Sequence, residues 1–111
     1  MKALAPTLRA NYRYVAFVIS SPLTVQPNEL QKSITGAARA LFGDVGVSDL
    51  AVRIVFFDGK KGLLRCDYRR VHEAQAVCAS IAKIRNNQAR VATLGTSGTI
   101  KAATEKYLQI E

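Results

Sequence analysis

The sequence predicts an α+β sandwich, a four-stranded antiparallel sheet built in the order β-α-β-β-α-β with one further helix at the C-terminal end, the ferredoxin-like arrangement. Three observations predict it. Residues 12–20 form a strand-like run that is apolar on both faces, two stretches of helical apolar spacing separate the strand-like runs, and a glycine-bearing turn at 58–62 joins two of them. In this topology the first and third strands are central, where a strand covered on both sides belongs.

Taken in order, residues 1–11 carry Pro6 and Arg9 and read as an arm preceding a single domain over 12–111. In the first strand Val15, Phe17 and Ile19 share one face, with Tyr14, Ala16 and Val18 on the other, and Ser21-Pro22 ends it. Asn28 is the expected N-cap of the first helix, with Glu29 suiting its first turn. Leu30, Ile34, Ala37, Ala38 and Leu41 then recur at helical spacing to about Phe42, and 43–46 form a loop. A second strand over 50–57 puts Val52, Ile54 and Phe56 together. The hairpin 58–62 presents Lys60 and Lys61 at its tip, and a third strand runs from Leu63 to Tyr68. Val71, Ala74, Cys78, Ile81 and Ile84 mark a helix from Arg70 to about Asn86. A fourth strand over 88–94 leads into a last helix over 97–108, whose inner side is Ile100, Ala103, Tyr107 and Ile110.

Composition narrows the partners. A chain of 111 residues with 49% hydrophobic content is long enough for a core without disulfide staples. Sixteen Lys and Arg against eight Asp and Glu give +8 and a pI near 9.9, which favours a polyanion: nucleic acid first, an anionic membrane surface second. The longest apolar run, Val15 to Ile19, is far too short to cross a membrane. Met1–Pro6 carries no apolar segment of secretory type. Cys66 and Cys78 lack a metal-type spacing and sit among apolar residues, so they read as buried reduced thiols of a cytoplasmic protein.

The join between the fourth strand and the last helix, Leu94-Gly95-Thr96-Ser97-Gly98-Thr99-Ile100-Lys101, is the densest in special residue types. Gly95 and Gly98 suit a sharp turn, and Ser97 or Thr99 suits a helix cap. The same groups suit a phosphate, since N–H groups and the positive end of the helix dipole point outward there. Both readings stand at this level.

No catalytic set emerges. His72 stands alone at the start of the second helix, the aspartates show no two-metal spacing, and neither a nucleophile elbow nor a Walker loop occurs. No residue is assigned a catalytic or metal-binding role. RNA-recognition domains share the topology and stack bases on aromatic pairs of the open sheet face, but the third strand offers only Leu63, Arg65 and Asp67 there. The open face is otherwise apolar, with Tyr14, Val18, Val55, Phe57 and Leu63 as its expected protein interface.

Several blocks, taken together, carry a resemblance: Pro6-Thr7-Leu8-Arg9 before Arg13-Tyr14, Leu41-Phe42-Gly43 with Gly46 and Ser48, Gly62-Leu63-Leu64-Arg65, and the 94–101 segment. In this order the chain resembles the archaeal protein component 2 family of ribonuclease P, related to the eukaryotic Pop-five-like subunits. The resemblance implies a ribonucleoprotein subunit that helps a catalytic RNA remove the 5′ leader of precursor tRNA, with no nuclease activity in the protein alone. It implies as partners ribonuclease P RNA, precursor tRNA and a TIM-barrel-like component 3, with self-association into a heterotetramer. No cofactor is expected on this chain itself, and Mg2+ is expected at the RNA active site. One departure is the C-terminal segment 102–106, less basic than the family's usual helix. The residues expected to meet RNA phosphates are Arg9, Arg13, Lys60, Lys61, Arg65 and Lys101, Arg65 because a charge in mid-strand needs a partner. The rival reading is a ferredoxin-like regulatory or assembly module that dimerises through its sheet and binds a small anion.

Overall fold

The computed structural model describes residues 11–85 and 87–108. Its elements are β1 (Tyr12–Ser20), α1 (Pro27–Leu50), β2 (Arg53–Phe57), β3 (Lys61–Asp67), α2 (Val71–Ser80), β4 (Lys83–Ile84), β5 (Asn87–Gln88), β6 (Arg90–Ser97) and α3 (Ile100–Ala103). A π-helical stretch, Thr104–Leu108, continues α3. The main sheet has the order β2-β3-β1-β6 with every pair antiparallel, and β4 and β5 form a separate small hairpin. This is the ferredoxin-like topology expected. Apart from Asn11, the arm over 1–11 lies outside the described residues, as do Arg9 and Ile110.

The two-faced pattern of β1 places a core on each side of the sheet. Val15, Phe17 and Ile19 meet Leu64 and Cys66 of β3, Leu30, Ile34 and Ala38 of α1, and Ala74, Val77 and Cys78 of α2. On the opposite face Ala16 and Leu63 pack with Ala103 and Leu108, flanked by Tyr14 and Tyr107. Leu63 and Leu108 each contribute about 1.5–3 kcal/mol by leaving water, so the second cluster anchors the segment 103–108 on the sheet. Cys66 and Cys78 are free and buried, and burial pushes their thiols up to about 11 and about 12.

Four local expectations change. The N-cap of α1 is Gln26, whose backbone N–H donates to Glu29 Oε1 at 2.9 Å. Pro27, with its φ preset and no N–H to satisfy, starts the helix before Asn28, which lies inside the first turn. The helical run does not end at Phe42: Gly43, at φ 76°, kinks it, and a further segment reaches Leu50, whose side chain is buried. In β2 a bulge after Ile54 inserts Val55, which reverses the alternation beyond it. Phe57 therefore joins Val52 and Ile54 against the core, its ring 6.0 Å from Phe17, while Phe56 is 37% exposed. Finally, α2 stops at Ser80. Ile81 and Ile84 are buried as expected, but they reach the core from the segment leading into the β4–β5 turn.

Candidate nucleic-acid interface

The site begins with what the acidic residues leave uncovered. Asp44 pairs with Arg39 at 2.8 Å, Asp67 with Arg69 at 3.2 Å, and Glu29 with Arg85 at 2.6 Å. Arg70 reaches both Glu73 at 2.8 Å and Asp49 at 3.6 Å. Among the described residues Arg13, Arg53, Lys60, Lys61, Arg65 and Lys101 enter no ion pair. Lys32, Lys83, Arg90 and Lys106 enter none either, and the Asp58 carboxylate stands beside Lys60 and Lys61 at the hairpin.

These cations do not form one patch. Strand alternation sends Arg65 to the face of Tyr14 and Leu63, whereas Arg13, opposite Cys66, belongs to the other face. Arg13 lies beside the turn before α3: its Nη1 stands 3.4 Å from where a Cβ on Gly98 would be. Lys101, exposed on α3, flanks the same turn. Lys60 and Lys61 sit at the hairpin tip, where the Lys60 carbonyl accepts from Ile19 N–H at 2.7 Å. Arg65 stands four residue steps along β3 from Lys61, about 13 Å away.

Within the chain, the mid-strand charge of Arg65 meets an aromatic ring. Its guanidinium lies 4.5 Å from the ring centroid of Tyr12, a cation–π contact. Asp67, two residues on, accepts instead from Arg69: from the backbone N–H at 2.9 Å and from Nε at 3.2 Å. Those bonds hold the Asp67 carboxyl below the usual carboxylate range. Directly across from Arg65 on the neighbouring strand stands Arg53, exposed and also a cation. The sequence assigns Arg53 no role. What it lacks is the β2–β3 register that makes the two arginines neighbours.

The glycine-rich join is built otherwise than a phosphate loop. β6 runs on to Ser97, so Gly95 is a strand residue opposite Ala16, and no turn forms there. The ring of Tyr107 occupies the space over it: a Cβ on Gly95 would collide with Tyr107 Cζ. Thr99 is the cap, its Oγ1 accepting from Ala102 N–H at 3.1 Å, while Ser97 Oγ accepts from Thr99 N–H at 3.5 Å. The Thr99 carbonyl takes Ala103 N–H as well, and α3 is one turn long before the π stretch. The N–H groups of Thr99, Ala102 and Ala103 are thereby engaged within the turn itself.

The expected protein interface is also partly consumed within the chain. Leu63 is fully buried under Ala103 and Leu108, and Tyr14 packs beside them. Phe57 is withdrawn by the bulge, which leaves half-buried Val18 and Val55, 38% exposed, with Phe56 as the aromatic that sequence reasoning missed. Among the described residues no group of three or more His, Cys, Asp and Glu is placed to hold a metal, and no helix is long and apolar enough to cross a membrane.

Comparison with known proteins places these features in a lineage. The model of the Rpp14/Pop5 family matches residues 13–108. Ribonuclease P protein component 2 of Methanosarcina barkeri is 42% identical over 109 residues, covering 98% of this chain and 81% of that protein. The component 2 of Archaeoglobus fulgidus is 30% identical over 110 residues, covering 99% of this chain and 100% of the other. A chain in the cryo-EM structure of yeast ribonuclease MRP superposes with a TM-score of 0.69 at 12% identity, covering 91% of this chain and 94% of that one, and so shares the fold.

Proposed function

The chain belongs to the Rpp14/Pop5 family, and on that premise we propose that it is a protein subunit of ribonuclease P, supporting the catalytic RNA as it removes the 5′ leader of precursor tRNA. The observation that carries this reading is the end-to-end similarity to proteins named ribonuclease P protein component 2, at up to 42% identity. The anion-binding regulatory module has no such support.

In this role the chain is a non-catalytic subunit. RNA performs the hydrolysis with bound Mg2+, and the protein supplies cations that lower the repulsion between closely packed phosphates. Arg9, Arg13, Lys60, Lys61, Arg65 and Lys101 are the proposed phosphate contacts, and the distribution of those from Arg13 onward over both faces and the hairpin tip suits a subunit lodged between RNA segments. A TIM-barrel-like component 3 and a second copy of this chain are the proposed protein partners, with Val18, Val55 and Phe56 as the apolar surface left for them. A cytoplasmic setting goes with two buried thiols that stay reduced.

Reconstitution tests the proposal. Ribonuclease P RNA assembled with this chain and component 3 should cleave precursor tRNA at lower Mg2+ than the same assembly without it, and the chain alone should not cleave. An assembly whose Mg2+ requirement is indifferent to the chain would refute the role. Cleavage by the purified chain would refute its non-catalytic character.

A further inference from the structure

We infer that Arg53 and Arg65 together clamp a single phosphate of the RNA backbone, with Tyr12 as the residue that positions Arg65. The inference rests on the ribonuclease P reading and goes further by naming a built site. Arg53 and Arg65 are register partners on adjacent antiparallel strands, so their side chains leave the sheet on the same face from neighbouring points. Two like charges directly opposite one another destabilise a sheet. A carboxylate ordinarily relieves such a pair, yet among the described residues none lies within ion-pair distance of either guanidinium. Asp67 shares the face but is bound by Arg69 through three hydrogen bonds. Residues 1–10 contain no Asp or Glu at all.

Arg65 is also held in place. Stacking on Tyr12 leaves its N–H edges free, because a cation–π contact uses the face of the guanidinium and not its donors. Arg65 leans over β1 onto Tyr12 while Arg53 stands exposed on β2, so a phosphate seated over β3 between them would accept from both forks. An anion there would convert the repulsion into a bridge. RNA is favoured over an acidic protein surface because Lys61 projects from the same face one stretch of strand away, extending the positive track, and because the chain carries +8 overall.

The test is binding of the full chain to a ribonuclease P RNA transcript, measured by filter retention over a series of potassium chloride concentrations. Arg53→Ala and Arg65→Ala should each weaken binding about fivefold to tenfold and lower the salt slope by about one. The double variant should lose no more than about twofold beyond either single change, since one phosphate is shared. Tyr12→Leu should weaken binding in the wild-type background and have no effect once Arg65 is alanine, a pattern that a purely structural role does not produce. Arg53→Ala should melt no lower than wild type, because it removes a repulsion. Additive losses with a slope reduced by about two would mean separate phosphates and overturn the clamp. Unchanged RNA affinity in the variants, or a loss confined to binding component 3, would overturn it in favour of no site or a protein carboxylate. Those results leave the subunit role standing. A wild-type chain without salt-dependent RNA affinity would bring down that role and the clamp together.

Discussion

Tyr107 and Gly95 are in such close apposition that the ring takes the place a side chain would occupy, and its hydroxyl donates to the Thr96 carbonyl at 3.4 Å. The contact seats the C-terminal segment on the sheet. Gly95→Ala is expected to lower unfolding free energy by about 1–3 kcal/mol through overpacking, read by urea denaturation. Placing Tyr107→Ala in the same chain should recover part of that loss. Equal stability of Gly95→Ala and wild type would show that the ring does not depend on the glycine.

The bulge at Val55 makes opposite claims about two adjacent phenylalanines. Phe57→Ala should cost about 2–4 kcal/mol, because it empties a place beside Phe17 in the core. Phe56→Ala should cost much less, its ring being 37% exposed. Paired urea melts decide between this order and its reverse, which regular alternation would require.

The hairpin tip should be sensitive to acid. Asp58 Oδ1 accepts from the N–H groups of Lys60 and Lys61 at 2.9 and 2.7 Å, which holds its carboxyl below the ordinary 3.8. A carboxyl lowered on folding contributes stability that is complete above its unfolded value and lost as pH falls through the folded one. Melting temperatures from pH 6 down to about pH 2 should therefore decline less steeply in Asp58→Asn than in wild type. Parallel curves for the two proteins would remove Asp58 from the acid response.

Loss of charge should be felt as a need for more Mg2+. In the reconstituted enzyme, Arg65→Ala with Lys101→Ala should raise the Mg2+ concentration at half-maximal cleavage while leaving the maximal rate at saturating Mg2+ close to wild type. A double variant that matches wild type at every Mg2+ and salt level would remove both residues from the phosphate contacts.

The fold was legible where one physical cause dominated. The double apolar face of β1 announced a central strand, and the hairpin at Asp58–Gly62 followed from its turn residues. Legibility failed where tertiary structure settled between equal local options. Nothing in Val55-Phe56-Phe57 marks which residue bulges, since all three are apolar and fit either face. Ile81 and Ile84 keep helical spacing, but the same spacing serves a chain that leaves the helix and returns through a hairpin. Gly95 looked like a turn residue because glycine serves both turns and close approaches, and only Tyr107, twelve positions on, distinguishes them. At the candidate interface Arg65 stood out as a mid-strand charge. Arg53 did not, because its significance lies in the strand register.

Closing the second face of the sheet with Ala103, Tyr107 and Leu108 sets a timetable for synthesis. On the ribosome, β1, β3 and both long helices emerge before the segment that covers Ala16 and Leu63. The nascent protein therefore completes its helix-side core first and carries a bare apolar strip until residues 103–108 leave the exit tunnel. During that interval the strip is open to whatever chaperone or assembly partner meets it. Afterwards it is sealed by Ala103 and Leu108 of the same chain.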